Sequence, residues 1–184
     1  MNNHKFDVKK LEKLNNPKRL ESLNLDLLIK ELNLPSNSTL VDIGTGTGFF
    51  AEAILRKIPD ATCFGFDISE EMINWTTENR VPSLNSRFSV KLMTENEIPV
   101  KENFADLVFI IAVYHELDNP MLLLKEVKRI LKPNGKLLIC DWKEGAHHHF
   151  VKKEDILNHL TTSNFKNIKE IDASEPFLCL ISSL

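Results

Sequence analysis

Apolar and polar positions recur with two periods along this chain, and the switches between them mark its elements. Residues 19–33, RLESLNLDLLIKELN, place Leu20, Leu23, Leu27, Leu28 and Leu32 mostly three and four apart, which predicts one amphipathic helix ended by LPSNS at 34–38. TLVDI at 39–43 reads as a first strand, and FFAEAILRKI at 49–58 as a helix closed by Pro59. A second strand is expected at 62–67. The helix after it runs from about Ser69, a capping residue, to Arg80, with Glu70 and Glu71 suited to its first turn. RFSVKLM at 87–93 alternates as a third strand. ADLVFIIAV at 105–113 is almost continuously apolar, as in a parallel strand covered on both faces. A helix over 119–131 leads to a Pro133-Asn134-Gly135 turn, and GKLLICDW at 135–142 is the fifth strand. A helix at 153–162 and strands at 166–173 and 176–183 complete the pattern.

Alternation of strands and helices predicts a doubly wound α/β sheet with helices on both faces. The last two strands are separated only by Ser174-Glu175-Pro176, too few residues for a crossover helix, so they form an antiparallel pair in an otherwise parallel sheet. There is no internal repeat and no linker long enough to divide the chain.

Composition narrows the partners. A 42% hydrophobic and 27% charged chain is an ordinary globular one, and 23 basic against 26 acidic residues, well mixed, provide no electrostatic funnel for nucleic acid. A small-molecule substrate is therefore expected. Cys63, Cys140 and Cys179 lie far apart in apolar surroundings, as free core thiols of a reducing compartment do. With no signal-like apolar stretch and no membrane-length apolar run, a cytoplasmic protein without membrane insertion is expected.

Candidate chemistry begins at LVDIGTGTGFF, residues 40–50, where a strand turns into a helix through Gly44, Gly46 and Gly48. Ligands of such sheets sit beyond the strand ends, and glycines let a ligand lie against the backbone. A dinucleotide fingerprint wants G-x-G-x-x-G/A. Here the third glycine is one position early, and Phe49 stands where that fingerprint wants a small residue. Asp67 ends the second strand 19 residues after Gly48, at the place of a carboxylate that accepts ribose hydroxyls, or of one that caps the next helix. Asp42, inside the first strand, either ties down the glycine loop or contacts the ligand.

The set DIGTGTG at 42–48, FDIS at 66–69, IP at 98–99, NFADLVFIIAVYHEL at 103–117 and LKEVKRILKPNGKLLICDW at 123–142 resembles the class I S-adenosylmethionine-dependent methyltransferases. The likeness is to the small-molecule type 11 group that includes the ubiquinone and menaquinone biosynthesis enzymes. It covers roughly residues 35–184 and implies a Rossmann-like, seven-stranded, mostly parallel sheet with a C-terminal antiparallel hairpin. It also implies S-adenosylmethionine as cofactor, a small-molecule methyl acceptor, and a helical cover over residues 1–34. The family pattern sets Asp42, Gly44, Thr45 and Gly46 beside the methionine part, counts Gly48 among the cofactor-binding residues, and puts Asp67 on the ribose and Ile68 and Met72 about the adenine. Thr94-Glu95 stands where many relatives have Asp-Ala at the adenine amino group. Ala112 and Val113 match residues near the sulfonium.

Methyl transfer needs alignment of the acceptor and removal of any proton it carries, so no conspicuous triad is required. Tyr114 and His115, just past the fourth strand, are the catalytic candidates: His115 as a general base or a loop-packing residue, Tyr114 as an orienting group. His147, His148 and His149 invite a metal reading, but adjacent residues rarely converge on one ion, and solvated loop histidines are expected with no metal bound. His4, Lys5, Phe6 and Asp7 of the cover could touch substrate or cofactor. Rival readings are an NAD(P)-dependent oxidoreductase, which the glycine spacing and Phe49 disfavour, and a non-catalytic cofactor-binding regulator. A monomer and a homodimer are both compatible with the sequence.

Overall fold

The structure, a computed structural model, describes residues 8–95 and 97–184. Short helices α1 (Val8–Leu14) and α2 (Lys18–Glu21) lead into α3 (Leu25–Leu32). There follow β1 (Thr39–Ile43), α4 (Phe49–Lys57), β2 (Thr62–Asp67), α5 (Glu70–Asn79), a 3-10 turn at Val81–Leu84, and β3 (Phe88–Leu92). The second half comprises β4 (Ala105–Ile111), a 3-10 turn at Tyr114–Glu116, α6 (Pro120–Ile130), β5 (Leu131–Trp142), α7 (Lys153–Thr162), β6 (Lys166–Ile171) and β7 (Phe177–Ser183). These strands form one sheet in the order β3-β2-β1-β4-β5-β7-β6. Only β7 runs against the others, pairing antiparallel with both β5 and β6. The seven-stranded sheet with its C-terminal hairpin is thus as expected.

Alternation along β4 feeds two cores. Leu107, Phe109 and Ile111 join the layer beneath α3 and α4, which holds Leu28, Leu32, Ile54 and Leu55. Val108 and Ile110 join the opposite layer, with Leu124 and Val127 of α6 and Ile156 and Leu160 of α7. Leu28 is 1% exposed, so α3 is part of the core and not merely a cover. Leu28→Ala is expected to lower the unfolding free energy by about 2–5 kcal/mol in urea titration, through lost burial and a residual cavity.

Three of the boundaries that differ from the sequence pattern do so for a tertiary reason. The helix expected over 19–33 is broken at residues 22–24: the Asn24 side chain accepts from the Leu27 amide at 3.0 Å and caps α3, while its own amide donates to Ala173 O at 2.7 Å. The strand expected to reach residue 113 stops at Ile111, because Ala112 adopts φ 56° and turns the chain aside. The Pro133-Asn134-Gly135 turn is a bulge within β5, which begins at Leu131 opposite Ala105 with a register shift before Leu107. A Cβ on Gly135 would lie 2.9 Å from Ala105 O, so the bulge needs glycine there. No helix among the described residues is long and apolar enough to cross a membrane.

Candidate functional site

The loop after β1 lies over the C-terminal edge of the sheet, held from below and from both sides. The Gly44 and Thr45 amides donate to Phe66 O at 2.8 and 3.0 Å, and Thr76 Oγ1 of α5 donates to Gly46 O at 2.7 Å. Gly44 has φ 69°, and a Cβ there would lie 2.6 Å from Val113 Cγ2, so the loop and the end of β4 approach closely only through glycine. Gly48 plays a different part from the one expected. At φ 67° it precedes α4 outside the cavity wall, and a Cβ would meet Phe88 Cε1 at 2.7 Å. Its missing side chain lets α4 sit close to β3.

Asp42 lies under the loop, outside the cavity wall, where its Oδ2 accepts from Thr45 Oγ1 at 2.8 Å. Thr45 in turn needs Gly65, whose Cβ would come within 2.6 Å of Thr45 Oγ1. Burial pushes the Asp42 carboxyl up to about 8; Asp67 adds to the rise, while the Thr45 bond and the Arg19 guanidinium oppose it. The loop tie read for Asp42 is made by this Thr45 bond.

Beside the loop is a cavity of about 330 Å³, within the usual size range of small-molecule sites. Gly44, Thr45 and Gly46 form its floor, with Ala112 and Val113 beside them. Asp67, Ile68, Met72 and Glu95 form a second wall. Asp67 accepts from the Gly46 amide at 2.8 Å and the Ser69 amide at 2.9 Å, one on each oxygen. Ser69, not Asp67, caps α5, accepting from the Met72 amide. Thr94 is outside the wall, bridging to Glu97, so of the pair only Glu95 faces the cavity.

Leu14 and Arg19, from the α1–α2 region, complete the cavity, and of the two Arg19 was missed by sequence reasoning. Arg19 Nη1 donates to Leu14 O at 2.7 Å, and the guanidinium lies 4.7 Å from the Phe50 ring centre. Burial pulls its pKa down, and Asp42 pulls it back up. Arg80 ties the same region to the loop and α4, reaching Asn15, Thr47 O at 3.0 Å and Glu52. His4, Lys5, Phe6 and Asp7 lie outside the described residues.

The catalytic candidates are not on the cavity wall. Tyr114 is 1% exposed, with its hydroxyl 3.1 Å from His159 Nδ1; burial, then the nearby Asp141 carboxylate, raise its pKa. This places Tyr114 in the core against α7, and an orienting role toward an acceptor is not retained for it. His115 precedes the wall residue Glu116 in the chain, with Nδ1 2.8 Å from Asp141 Oδ1. His147 stacks on Trp142 with centroids 4.9 Å apart. Among the described residues no group of three or more His, Cys, Asp or Glu side chains is arranged to hold a metal.

A parallel sheet with a glycine turn at the end of its first strand, an acidic residue ending the second and a cavity between them defines a nucleoside-ligand class of α/β protein. The family described as Methyltransferase domain matches residues 41–139, more than half of the chain, and the chain belongs to that family. It is 29% identical over 165 residues to phosphoethanolamine N-methyltransferase of Plasmodium falciparum, covering 80% of this chain and 61% of that protein. It is 26% identical over 116 residues to a ubiquinone/menaquinone biosynthesis C-methyltransferase of Syntrophotalea carbinolica, covering 63% of this chain and 48% of that one. The chain thus matches less than two thirds of the length of these relatives. A crystal structure described as a SAM dependent methyltransferase from Aquifex aeolicus superposes with TM-score 0.83 at 28% identity, over 97% of this chain and 98% of that one.

Proposed function

We propose that the protein is an S-adenosylmethionine-dependent methyltransferase acting on a small molecule. The observation that carries this is the joining of the glycine loop, Asp67 and Arg19 around one cavity, in a chain of the methyltransferase family. The residues fit the cofactor by their chemistry. Each Asp67 oxygen accepts one amide and keeps a lone pair for a ribose hydroxyl. Ile68 and Met72 offer apolar surface to adenine, and Glu95 an acceptor for its amino group. Arg19 suits the methionine carboxylate, while the side-chain-free floor at Gly44 and Gly46 leaves room for the methionine chain.

The cofactor, when bound, supplies an electrophilic methyl carbon. The chain's own part is to align an acceptor, exclude water beneath the α1–α2 cover, and take a proton through His115. This reading takes neither nucleic acid nor a membrane as partner.

Calorimetry decides between this function and its rivals. Micromolar binding of S-adenosylhomocysteine and none of NAD(H) or NADP(H) is expected, with transfer of a labelled methyl group to a small molecule in an extract. Nicotinamide binding without S-adenosylhomocysteine binding overturns the reading; tight binding with no transfer to any acceptor moves it to a regulator.

A further inference from the structure

Asp141, at the C-terminal end of β5, is 1% exposed, yet its carboxylate is fully engaged. Oδ1 accepts from the Trp142 amide at 2.7 Å and faces His115 Nδ1 at 2.8 Å, while Oδ2 accepts from the His115 amide at 3.2 Å. Both oxygens receive backbone N–H groups, so the carboxylate is an acceptor toward the ring as well. Nδ1 therefore carries a proton toward Asp141, and in the neutral ring Nε2 is the nitrogen left to accept one. Nε2 lies 3.7 Å from Glu116 Oε1, and Glu116 belongs to the cavity wall. His147 meets the ring edge-on at 5.8 Å while stacking on Trp142. The imidazole is thus held by Asp141 and edge-on to His147, with Nε2 on the side of the cavity-wall residue Glu116.

We propose that Asp141 is a positioning residue that fixes His115 with Nε2 as the proton acceptor, and so selects methyl acceptors that shed a proton from oxygen or nitrogen. The inference rests on the methyltransferase reading above. In the reaction, a lone pair of the acceptor heteroatom forms the new bond to the methyl carbon as the carbon–sulfur bond of S-adenosylmethionine breaks. The sulfur keeps that electron pair as a neutral thioether, and the heteroatom's proton goes to Nε2. The imidazolium so formed is paired with Asp141 over the 2.8 Å bond already present. A sulfide acceptor has no proton to lose and gains nothing from this pair.

Nitrogen NMR of histidine-labelled full-length protein tests the pairing without any acceptor, with His115→Gln assigning the signals. Wild-type His115 is expected as the Nδ1–H form, and Asp141→Ala shifts it mainly to the Nε2–H form that imidazole prefers in water. Wild-type His115 as the Nε2–H form overturns the proposal, as does an unchanged ring in a folded Asp141→Ala. Should that variant not fold, Asp141→Asn serves for kinetics with a labelled methyl donor and a panel of catechols, ethanolamine derivatives and sulfides. A fall of tenfold or more in kcat at unchanged KM, with about 100-fold loss in His115→Gln, supports the proposal. Wild-type turnover in His115→Gln, or transfer to sulfides alone, overturns it while leaving the methyltransferase reading intact. Failure of the wild type to bind S-adenosylhomocysteine sinks that reading instead, and the NMR result then judges the pair by itself.

Discussion

Asp67→Ala is expected to weaken S-adenosylhomocysteine binding by about 100- to 1000-fold. Two hydrogen bonds from ribose hydroxyls to a charged acceptor together contribute about 3–4 kcal/mol, and about 1.4 kcal/mol corresponds to a factor of ten. The alanine also strips the acceptors from the Gly46 and Ser69 amides, which Asp67 holds at 2.8 and 2.9 Å. The loop and the start of α5 thus lose a common anchor, and the free protein should melt at a lower temperature. Asp67→Asn separates the two effects. It keeps the side-chain shape and an acceptor for one of the two amides, so part of the stability should return while much of the affinity does not. Titration calorimetry with S-adenosylhomocysteine measures the first effect, and thermal melting of the free protein the second. Affinity within tenfold of the wild type in Asp67→Ala would take the ribose away from this carboxylate.

The parallel strands were legible because burial on both faces leaves little but apolar residues in them, as in Leu107–Ile111. The cap at Ser69 was equally local, accepting from the amide three residues on. What was misread depends on partners distant in sequence. Gly48 looks like a ligand-facing glycine until Phe88, 40 residues later, arrives against it. Asn24 looks like part of a helix until Ala173 takes its amide. Asp141 looks like the end of a strand, and only the crossing from β4 to β5 brings His115 to it. Arg19 was invisible for the same reason: nothing near it in sequence announces that α2 returns to the cavity that Gly44 and Asp67 line. Local pattern therefore located the glycine loop and Asp67, while the residues that close and work the site came from tertiary contacts.

Asp42→Asn is expected to flatten the pH dependence of the free protein's stability and to stabilise it near pH 8. Asp42 is held in β1 on the face that carries Leu40 and Cys63, with Arg19 and Asp67 as its charged neighbours and Thr45 as its donor. Its ordinary value of 3.8 is pushed up to about 8 in the folded protein, chiefly by burial. The folded state therefore binds this proton more tightly than the unfolded state does. Below about pH 4 both states are protonated and the stabilisation is fully present. As pH rises toward 8 the unfolded chain releases the proton while the folded protein keeps it, so stability falls by up to about 1.4 kcal/mol per pH unit until the folded group also ionises. Asparagine can accept from Thr45 Oγ1 without a charge to bury, which removes the dependence at little cost to the loop. Urea titrations of both proteins at steps between pH 5 and pH 9 measure the difference. Parallel curves would mean that Asp42 is already ionised in the free protein, with Arg19 outweighing burial. The same experiment with saturating S-adenosylhomocysteine then reports whether the ligand's ammonium draws the proton off Asp42: the wild type's slope should shrink toward the variant's, because a cation beside the loop lowers the carboxyl's pKa toward its ordinary value.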